Sequence, residues 1–270
     1  MIRRRKRGLG SSTRKQASRI LPKIVNHHDP AVSIIIPAMN ERARLPSVLR
    51  EASKVHPRSE TIVVANGSTD GTAEIASALG ARVIHFAEPL GHDVGRRVGA
   101  EAARGQVLLF MDADMVIPAT ELRPFVKAVL SGVDVALNGY SGPVGRQTAH
   151  PVVVAKYTLN AWLSRSDLHG ASMTAVPHAL SRQALATIGF ELLEIPPLAH
   201  TAAAVKGLNI RIANTVAVGS ANPVRRRTGG KDPLTSLIVG DHLDAVHWLI
   251  QERGQRGGYS DLNRLRGKVR

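Results

Sequence analysis

Short apolar runs and helical segments alternate along residues 32–111, and this alternation limits the fold more than any other feature of the sequence. Runs rich in Val, Ile and Leu predict buried strands at residues 32–36, 61–64, 83–86 and 107–111. Apolar positions at helical spacing predict helices between these strands, at residues 42–54, 72–79 and 94–103. Asn40 is the predicted N-cap of the first helix. Strands that alternate with helices form a mostly parallel sheet with helices on both faces, so we predict an α/β fold.

The alternation is weaker in the second half of the chain. Further helices are predicted at residues 122–130, 152–164, 180–188, 199–206 and 234–252. The last of them is amphipathic, and the residues predicted near its inner face are Leu237, Ile238, His242, Val246, Leu249 and Ile250. Strands are predicted at residues 133–137 and 210–218. We therefore expect the sheet to continue beyond residue 116 with a less regular order of elements.

Composition excludes several classes of protein. The chain of 270 residues has no cysteine, which rules out disulfide scaffolds, cysteine–zinc sites and thiol nucleophiles. Aromatic residues make up 3% of the chain, too few for a platform on which nucleic-acid bases stack. No apolar run reaches about eighteen residues, and no apolar stretch follows the basic N-terminus, so neither a membrane span nor a secretory signal is predicted.

The net charge of +15 is concentrated at the two ends of the chain. Residues 1–24 contain nine Lys and Arg and no acid, and residues 222–270 contain ten against five acids. The middle is nearly neutral, with 17 basic and 16 acidic residues. Basic tails of this kind bind lipid headgroups, RNA or acidic polymers, or are solvated extensions without a partner. A purely nucleic-acid-binding role ranks last, because the basic residues lie outside the predicted fold.

The segment Asp112-Ala113-Asp114 directly follows the fourth predicted strand. Ligands of parallel sheets bind beyond the carboxyl ends of the strands. Two carboxylates placed there can bind a hard divalent cation such as Mg²⁺ or Mn²⁺, which would neutralise a diphosphate. Surface turns produce the same pair of residues, so the pair alone does not decide between a metal site and a turn.

Further motifs precede this pair in order. They are residues 32–41 (VSIIIPAMNE), 62–72 (IVVANGSTDGT) and 91–99 (GHDVGRRVG). With these motifs the chain resembles the family 2 glycosyltransferases, specifically over residues 31–116 and more weakly as far as about residue 220. The resemblance implies a GT-A fold. It also implies a metal-dependent enzyme that moves a sugar from a nucleoside-diphosphate sugar to an acceptor hydroxyl.

The resemblance also assigns site residues. The donor-binding residues that it implies are Pro37, Ala38, Asn40, Glu41, Asn66, Gly67, Ser68, Asp70, Arg96, Asp112 and Ala113. The implied metal ligands are Asp112, Asp114 and His178. Asp70 has a structural alternative, which is to cap the helix that follows it. Ala65 stands where the family usually has an aspartate that contacts the base, so the base of the donor stays open.

The catalytic base is where this chain departs from the family. The usual Glu-Asp pair, whose Asp is the base in inverting members, falls at Pro196-Pro197. The nearest groups able to accept a proton are Glu194 and His200, and we predict them as catalytic residues, Glu194 first. A solvated glutamate and a core histidine are the structural alternatives. A retaining mechanism would need no such base.

The resemblance divides the chain into four parts. These are a basic N-terminal extension (1–30), a nucleotide-sugar-binding half (31–116), an acceptor-side half (117–222) and a basic C-terminal segment with an amphipathic helix (223–270). The acceptor stays open between a glycan, a lipid-linked molecule and a small molecule. We expect a cytoplasmic protein whose tails touch an anionic inner membrane surface. The alternative function is a catalytically impaired nucleotide-sugar-binding protein, tethered to an anionic partner by its basic tails.

Overall fold

The computed structural model describes residues 23–144, 147–218 and 233–265. The strands are β1 (Val32–Ala38), β2 (Ser59–Asn66), β3 (Arg82–Phe86), β4 (Val107–Phe110), β5 (Val135–Asn138), β6 (His178–Ser181) and β7 (Ile210–Asn214). The helices are α1 (Leu45–Ala52), α2 (Thr72–Ala78), α3 (Val94–Ala102), α4 (Ala119–Leu130), α5 (Pro151–Trp162), α6 (Arg182–Ile188), α7 (Pro196–Val205) and α8 (Pro233–Arg253). Two 3₁₀ turns are also described, at Ser166–Leu168 and Glu191–Glu194.

The strands form one sheet in the order β3-β2-β1-β4-β6-β5-β7. Neighbouring strands from β3 to β4 pair in parallel, β6 is antiparallel to both of its neighbours, and β7 is parallel to β5. β1, β2 and β4 are buried on both faces almost throughout, which explains why their sequences read as continuous apolar runs. The predicted α/β fold with a mostly parallel sheet is confirmed.

Helices cover both faces of the sheet. On one face, α1, α2 and α4 pack against the strands. On the other face, α3, α6 and α7 do so, and α8 forms an outer layer on α5 and α7. The close approach of α3 requires a glycine, because a Cβ at Gly99 would lie 2.4 Å from Cγ2 of Ile35. Among the described residues, no helix is long and apolar enough to cross a bilayer.

Three local predictions were wrong. Residues 178–181 form the strand β6, where the sequence predicted the start of a helix; pairing with β4 and β5 determines this conformation. Asn40 is not the N-cap of α1, which begins after Arg44, and Asn40 instead has a left-handed φ of +55°. In α8, Leu237 and Ile250 were predicted on the inner face but are 44% and 38% exposed.

The packed part of the chain begins before the predicted boundary at residue 31. The amide of Ile24 donates to the carbonyl of Leu79 at 2.7 Å, and the Ile24 side chain is buried. Oδ1 of Asn26 accepts from the amide of Thr61 at 2.8 Å. Most of the predicted basic extension, residues 1–22, lies outside the described residues, as do residues 219–232 and 266–270. The tails therefore stay a prediction.

A buried carboxylate joins the amino-terminal ends of three strands. Glu60 in β2 is fully buried, and its Oε1 accepts from the Ser33 hydroxyl at 2.7 Å and from the Arg104 amide at 2.7 Å. The Arg104 guanidinium lies 3.1 Å from Oε2 of Glu60. Oγ of Ser33 in turn accepts from the amide of Gly105, at the entry to β4, at 2.8 Å. The network fixes β1, β2 and the start of β4 relative to one another.

Glu60→Ala is expected to lower the free energy of unfolding by about 3 kcal/mol or more, because it leaves buried donors without an acceptor. Urea denaturation monitored by circular dichroism measures this change. The matched control is Glu74→Ala in α2, since Glu74 is exposed. The control should stay within about 0.5 kcal/mol of the wild type. Equal effects of the two substitutions would contradict the role assigned to the Glu60 network.

Candidate functional site

The predicted donor residues lie at one edge of the sheet. β1, β2 and β4 are parallel neighbours, so their carboxyl ends meet there. β1 ends at Ala38, β2 ends at Asn66, and Asp112 follows β4. This edge of a parallel sheet is where ligands bind in α/β folds, because loops of several strands converge on it.

The loops after β1 and β2 are joined by polar side chains. Oδ1 of Asn40 accepts from the amide of Thr69 at 2.9 Å, and the amide of Asn40 donates to Oγ of Ser68 at 3.2 Å. Oγ of Ser68 donates to the carbonyl of Ala38 at 3.3 Å. Asn40 and Ser68, both predicted to bind the donor, therefore hold the two loops together in this structure.

Asp70 fixes the start of α2. Its Oδ1 accepts from the amide of Thr72 at 3.0 Å, and its Oδ2 accepts from the amide of Arg42 at 3.1 Å. The hydroxyl of Thr72 also donates to Asp70, and this bond is the main reason that the pKa of Asp70 lies below its usual value. The same hydroxyl accepts from the amide of Glu41 at 2.9 Å. These contacts favour the structural alternative for Asp70.

Asn66 positions the loop that leads to α3. Its Oδ1 accepts from the amide of Leu90 at 2.6 Å, and its Nδ2 donates to the carbonyl of Gly91 at 3.2 Å. Gly67 follows with a φ of +67°, and a Cβ there would lie 2.6 Å from Cγ of Pro89. A side chain at position 67 would therefore push this loop away from the end of β2.

Arg96 is a buried cation between two carboxylates. Its Nη1 lies 2.9 Å from Oδ1 of Asp93, and its Nη2 lies 3.5 Å from Oδ1 of Asp112. The Arg96 side chain is 8% exposed and the Asp112 side chain is 36% exposed. Asp93 thus orients the guanidinium, and Asp112 remains accessible beside it. The structure brings together two side chains that the sequence assigned to one site.

His178 adjoins this region but faces the interior. It is the first residue of β6, and its ring stacks on Phe110 with the ring centroids 5.1 Å apart. Its Nδ1 lies 3.0 Å from the carbonyl of Ala175. Burial, and secondarily the charge of Arg96, lowers the pKa of His178 to about 3, so its imidazole is neutral at pH 7.

The predicted set of three metal ligands is not assembled in the part of the chain that the structure describes. No group of three or more Asp, Glu and His side chains is placed there to hold a metal ion. Asp112 and Asp114 nevertheless present hard oxygen donors in one short segment after β4. Mg²⁺ is commonly bound by one or two carboxylates together with substrate phosphates, so this pair fits such an ion without His178.

The two predicted bases lie in different environments. Glu194 ends a 3₁₀ turn that packs on α3, and its Oε1 lies 2.7 Å from Nε of Arg97. The Glu194 side chain is 33% exposed. His200 is fully buried in α7, where its Nε2 lies 2.8 Å from Oδ1 of Asn160. Burial lowers the pKa of His200 to about 3, which fits the core-histidine alternative.

Sequence analysis assigned no role to Lys156, the one charged residue of α5. Its side chain is buried, and its Nζ donates to the carbonyl of Tyr140 at 3.1 Å. Burial lowers the pKa of Lys156 to about 8. Tyr140 follows the carboxyl end of β5, on the predicted acceptor side. A lysine directly after the apolar run Val152–Ala155 was the one available signal.

Residues 33–157 match the family model described as glycosyl transferase family 2. The chain is 38% identical over 91 residues to 4,4'-diaponeurosporenoate glycosyltransferase from Staphylococcus haemolyticus, a match to 32% of this chain and 24% of that protein. It is 36% identical over 109 residues to dolichyl-phosphate beta-glucosyltransferase from Drosophila melanogaster, a match to 34% of this chain and 33% of that protein. The matches thus span about a quarter to a third of these curated relatives.

Solved structures resemble the chain over most of its length. Glucosyl-3-phosphoglycerate synthase from Mycobacterium tuberculosis, in complex with Mn²⁺, UDP and phosphoglyceric acid, matches with a TM-score of 0.58 and 20% identity, over 89% of this chain and 88% of that one. Mannosyl-3-phosphoglycerate synthase from Rubrobacter xylanophilus matches with a TM-score of 0.60 and 17% identity, over 89% of this chain and 80% of that one. Together with the motifs at the strand ends, these matches show that residues 33–157 resemble glycosyl transferase family 2 and that the chain has the GT-A fold.

Proposed function

We propose that this protein transfers a sugar from a nucleoside-diphosphate sugar to an acceptor hydroxyl with the help of Mg²⁺ or Mn²⁺. The observation that carries the proposal is the buried Arg96 guanidinium, held 3.5 Å from Asp112 at the carboxyl end of β4. The match of residues 33–157 to glycosyl transferase family 2 supports the reaction class. The complex of glucosyl-3-phosphoglycerate synthase with Mn²⁺ and UDP supports the donor class and the metal.

The charges at this edge favour a diphosphate as the leaving group. Asp112 and Asp114 would hold the divalent cation, which when bound supplies positive charge to the diphosphate. Arg96 adds a fixed cation beside it, and because Asp93 orients the guanidinium, no reorganisation is needed as negative charge develops. The joined loops after β1 and β2 form the wall against which the nucleoside would bind.

Glu194 is the candidate base for an inverting reaction. An acceptor hydroxyl must lose its proton as it attacks, and a partly exposed carboxylate can accept it. Arg97 forms an ion pair with this carboxylate, with Nε 2.7 Å from Oε1. His200 is enclosed by protein, so Glu194 is the better candidate of the two.

The names of relatives indicate a chemical class for the acceptor. The relatives include dolichyl-phosphate beta-glucosyltransferase and an undecaprenyl-phosphate 4-deoxy-4-formamido-L-arabinose transferase from Aeromonas hydrophila, whose names give polyprenyl phosphates as acceptors. These names favour a lipid-linked acceptor over a soluble glycan or a small molecule. In the reaction proposed here its attacking group would be a hydroxyl, as on a lipid-linked saccharide. A cytoplasmic location at the inner membrane surface would suit such an acceptor.

The alternative function is nucleotide-sugar binding without transfer. Pro196 and Pro197 stand where inverting relatives carry the Glu-Asp pair, which is the observation in its favour. Incubation with a panel of nucleotide sugars and a polyprenyl-linked saccharide that carries free hydroxyls distinguishes the two functions, since only an enzyme releases nucleoside diphosphate and glycosylated product. The anomeric configuration of the product then distinguishes an inverting from a retaining reaction.

Asp114→Ala is expected to abolish Mn²⁺-dependent binding of a nucleoside diphosphate, because it removes one of the two carboxylates of the proposed metal site. Isothermal titration calorimetry with UDP and GDP, with and without Mn²⁺, measures the binding. The control is Asp29→Asn, because Asp29 pairs with Arg58 at the opposite edge of the sheet. Diphosphate binding by Asp114→Ala at wild-type affinity would refute the metal assignment.

Glu194→Gln is expected to reduce kcat by two or more orders of magnitude with little change in donor affinity, which is what removal of a positioned base typically does. Glu191→Gln is the matched control, since Glu191 is an exposed glutamate on the same 3₁₀ turn. Steady-state kinetics on both variants gives the comparison. Normal turnover by Glu194→Gln, together with a product of retained configuration, would show that no base is used.

Removal of residues 1–22 is expected to preserve the fold and donor binding and to weaken binding to phosphatidylglycerol vesicles. These residues contain eight Lys and Arg. Each one at a membrane surface contributes about 1 kcal/mol. Vesicle co-sedimentation in about 0.15 M salt, with phosphatidylcholine vesicles as the control, tests this. Equal binding with and without residues 1–22 would exclude the N-terminal tail as a membrane contact.

A further inference from the structure

The chain after α8 folds back against the end of α5 and places Tyr259 at the backbone of Trp162. The hydroxyl of Tyr259 lies 3.0 Å from the carbonyl of Ala161 and 3.1 Å from that of Trp162. Oγ of Ser164 is a further partner of this hydroxyl at 3.3 Å. Tyr259 and Trp162 are nevertheless each 45% exposed. The hydroxyl of Tyr259 is thus held by the backbone, while much of the surface of Tyr259 and Trp162 meets solvent.

Two exposed leucines follow Tyr259 in the chain. Leu262 is 81% exposed and Leu265 is 66% exposed, and both follow Tyr259 within a few residues. Trp162, Tyr259, Leu262 and Leu265 are here called the C-terminal apolar patch. A cluster of exposed large apolar side chains marks an interaction surface, since isolated exposed residues need no explanation but a cluster does.

Arginines accompany the C-terminal apolar patch along the chain. Residues 253–265 contain three of them, Arg253, Arg256 and Arg264, and one acid, Asp261. Arg256 is bound to the same segment, because its Nε donates to the carbonyl of Tyr259 at 2.9 Å and its Nη2 to that of Ser260 at 2.6 Å. Arg253, Arg256 and Asp261 line an open cavity of about 630 Å³ beside the patch. The patch therefore combines apolar side chains with guanidinium groups.

We propose that the C-terminal apolar patch docks on the surface of an anionic lipid bilayer. Tyr and Trp rings are enriched where headgroups meet acyl chains, and exposed leucines bury their surface below that level. Arginines bind lipid phosphates by charge-assisted hydrogen bonds. A second copy of this chain is disfavoured as the partner, because it would bring an equally basic segment against this one. This surface is distinct from the N-terminal basic tail and adds an apolar contact to it.

Trp162 reports directly on this contact. The sequence has two tryptophans, and Trp248 packs against the core on α8. The full-length chain with Trp248→Phe therefore has Trp162 as its single tryptophan. We expect its emission to shift to shorter wavelength with phosphatidylglycerol vesicles and to stay unchanged with phosphatidylcholine vesicles. Docking through the tails alone would leave Trp162 in water and its emission unshifted, which would overturn the proposal.

The double substitution Leu262→Asp/Leu265→Asp tests the leucines. We expect it to lower the affinity for phosphatidylglycerol vesicles at least about tenfold, since each leucine loses its apolar burial and gains a charge. Leu130→Asp is the matched control, because Leu130 is 54% exposed on α4, on the other face of the sheet. Circular dichroism on both variants shows whether they fold. Calorimetric titration with UDP and Mn²⁺ shows whether they still bind at the donor site, so a loss of vesicle binding can be assigned to the patch.

Three further results would overturn the proposal. One is equal vesicle affinity of the double variant and the wild type. A second is a Trp162 emission shift with glycerol 1-phosphate alone, since this would identify a soluble phosphate ligand in place of a bilayer. A third is self-association in sedimentation equilibrium that the double variant loses, because the patch would then bind a second copy of the chain.

Discussion

The buried carboxylate of Glu60 is the interaction on which the geometry of this fold depends. It links Ser33 of β1 and Arg104, just before β4, at the amino-terminal edge of the sheet. Parallel strands with a fixed register at one edge have fixed ends at the other edge. The loops after β1 and β2 and the segment at Asp112 therefore converge at the carboxyl edge. The candidate site at the carboxyl edge is thus positioned by a network at the amino-terminal edge of the sheet.

The first half of the fold could be predicted because its signals are local. Each buried parallel strand is a continuous apolar run, and each covering helix has a periodic apolar face. β6 could not be predicted, because its four residues are too short to show a period and pairing with β4 and β5 determines their conformation. The length of α8 was predicted well. Its inner face was not predicted correctly, because that face depends on contacts with α5 and α7.

The candidate site was predictable to a different extent for each residue. Asp112 follows a strong strand, so its place at the carboxyl edge could be expected from the sequence. The contact of Arg96 with both Asp93 and Asp112 could not be expected from the sequence. It depends on how the turn before α3 lies against the segment after β4. Asn40 and Asn66 were predicted to bind the donor, but in this structure their side-chain amides bond to neighbouring loops. A sequence motif identifies such residues. It does not show whether their side chains touch the ligand or only shape the loop that does.

The balance of charge at the carboxyl edge explains why a cation and a diphosphate would bind there together. Asp93, Asp112 and Asp114 bring three carboxylates to this region against the one guanidinium of Arg96, and the buried imidazole of His178 is neutral at pH 7 because its pKa is lowered to about 3. These side chains leave an excess of negative charge, which opposes an incoming diphosphate. A divalent cation reverses this balance while Arg96 stays in place. The arrangement therefore favours a metal–diphosphate complex over the free diphosphate, which is the selectivity expected of the proposed transferase.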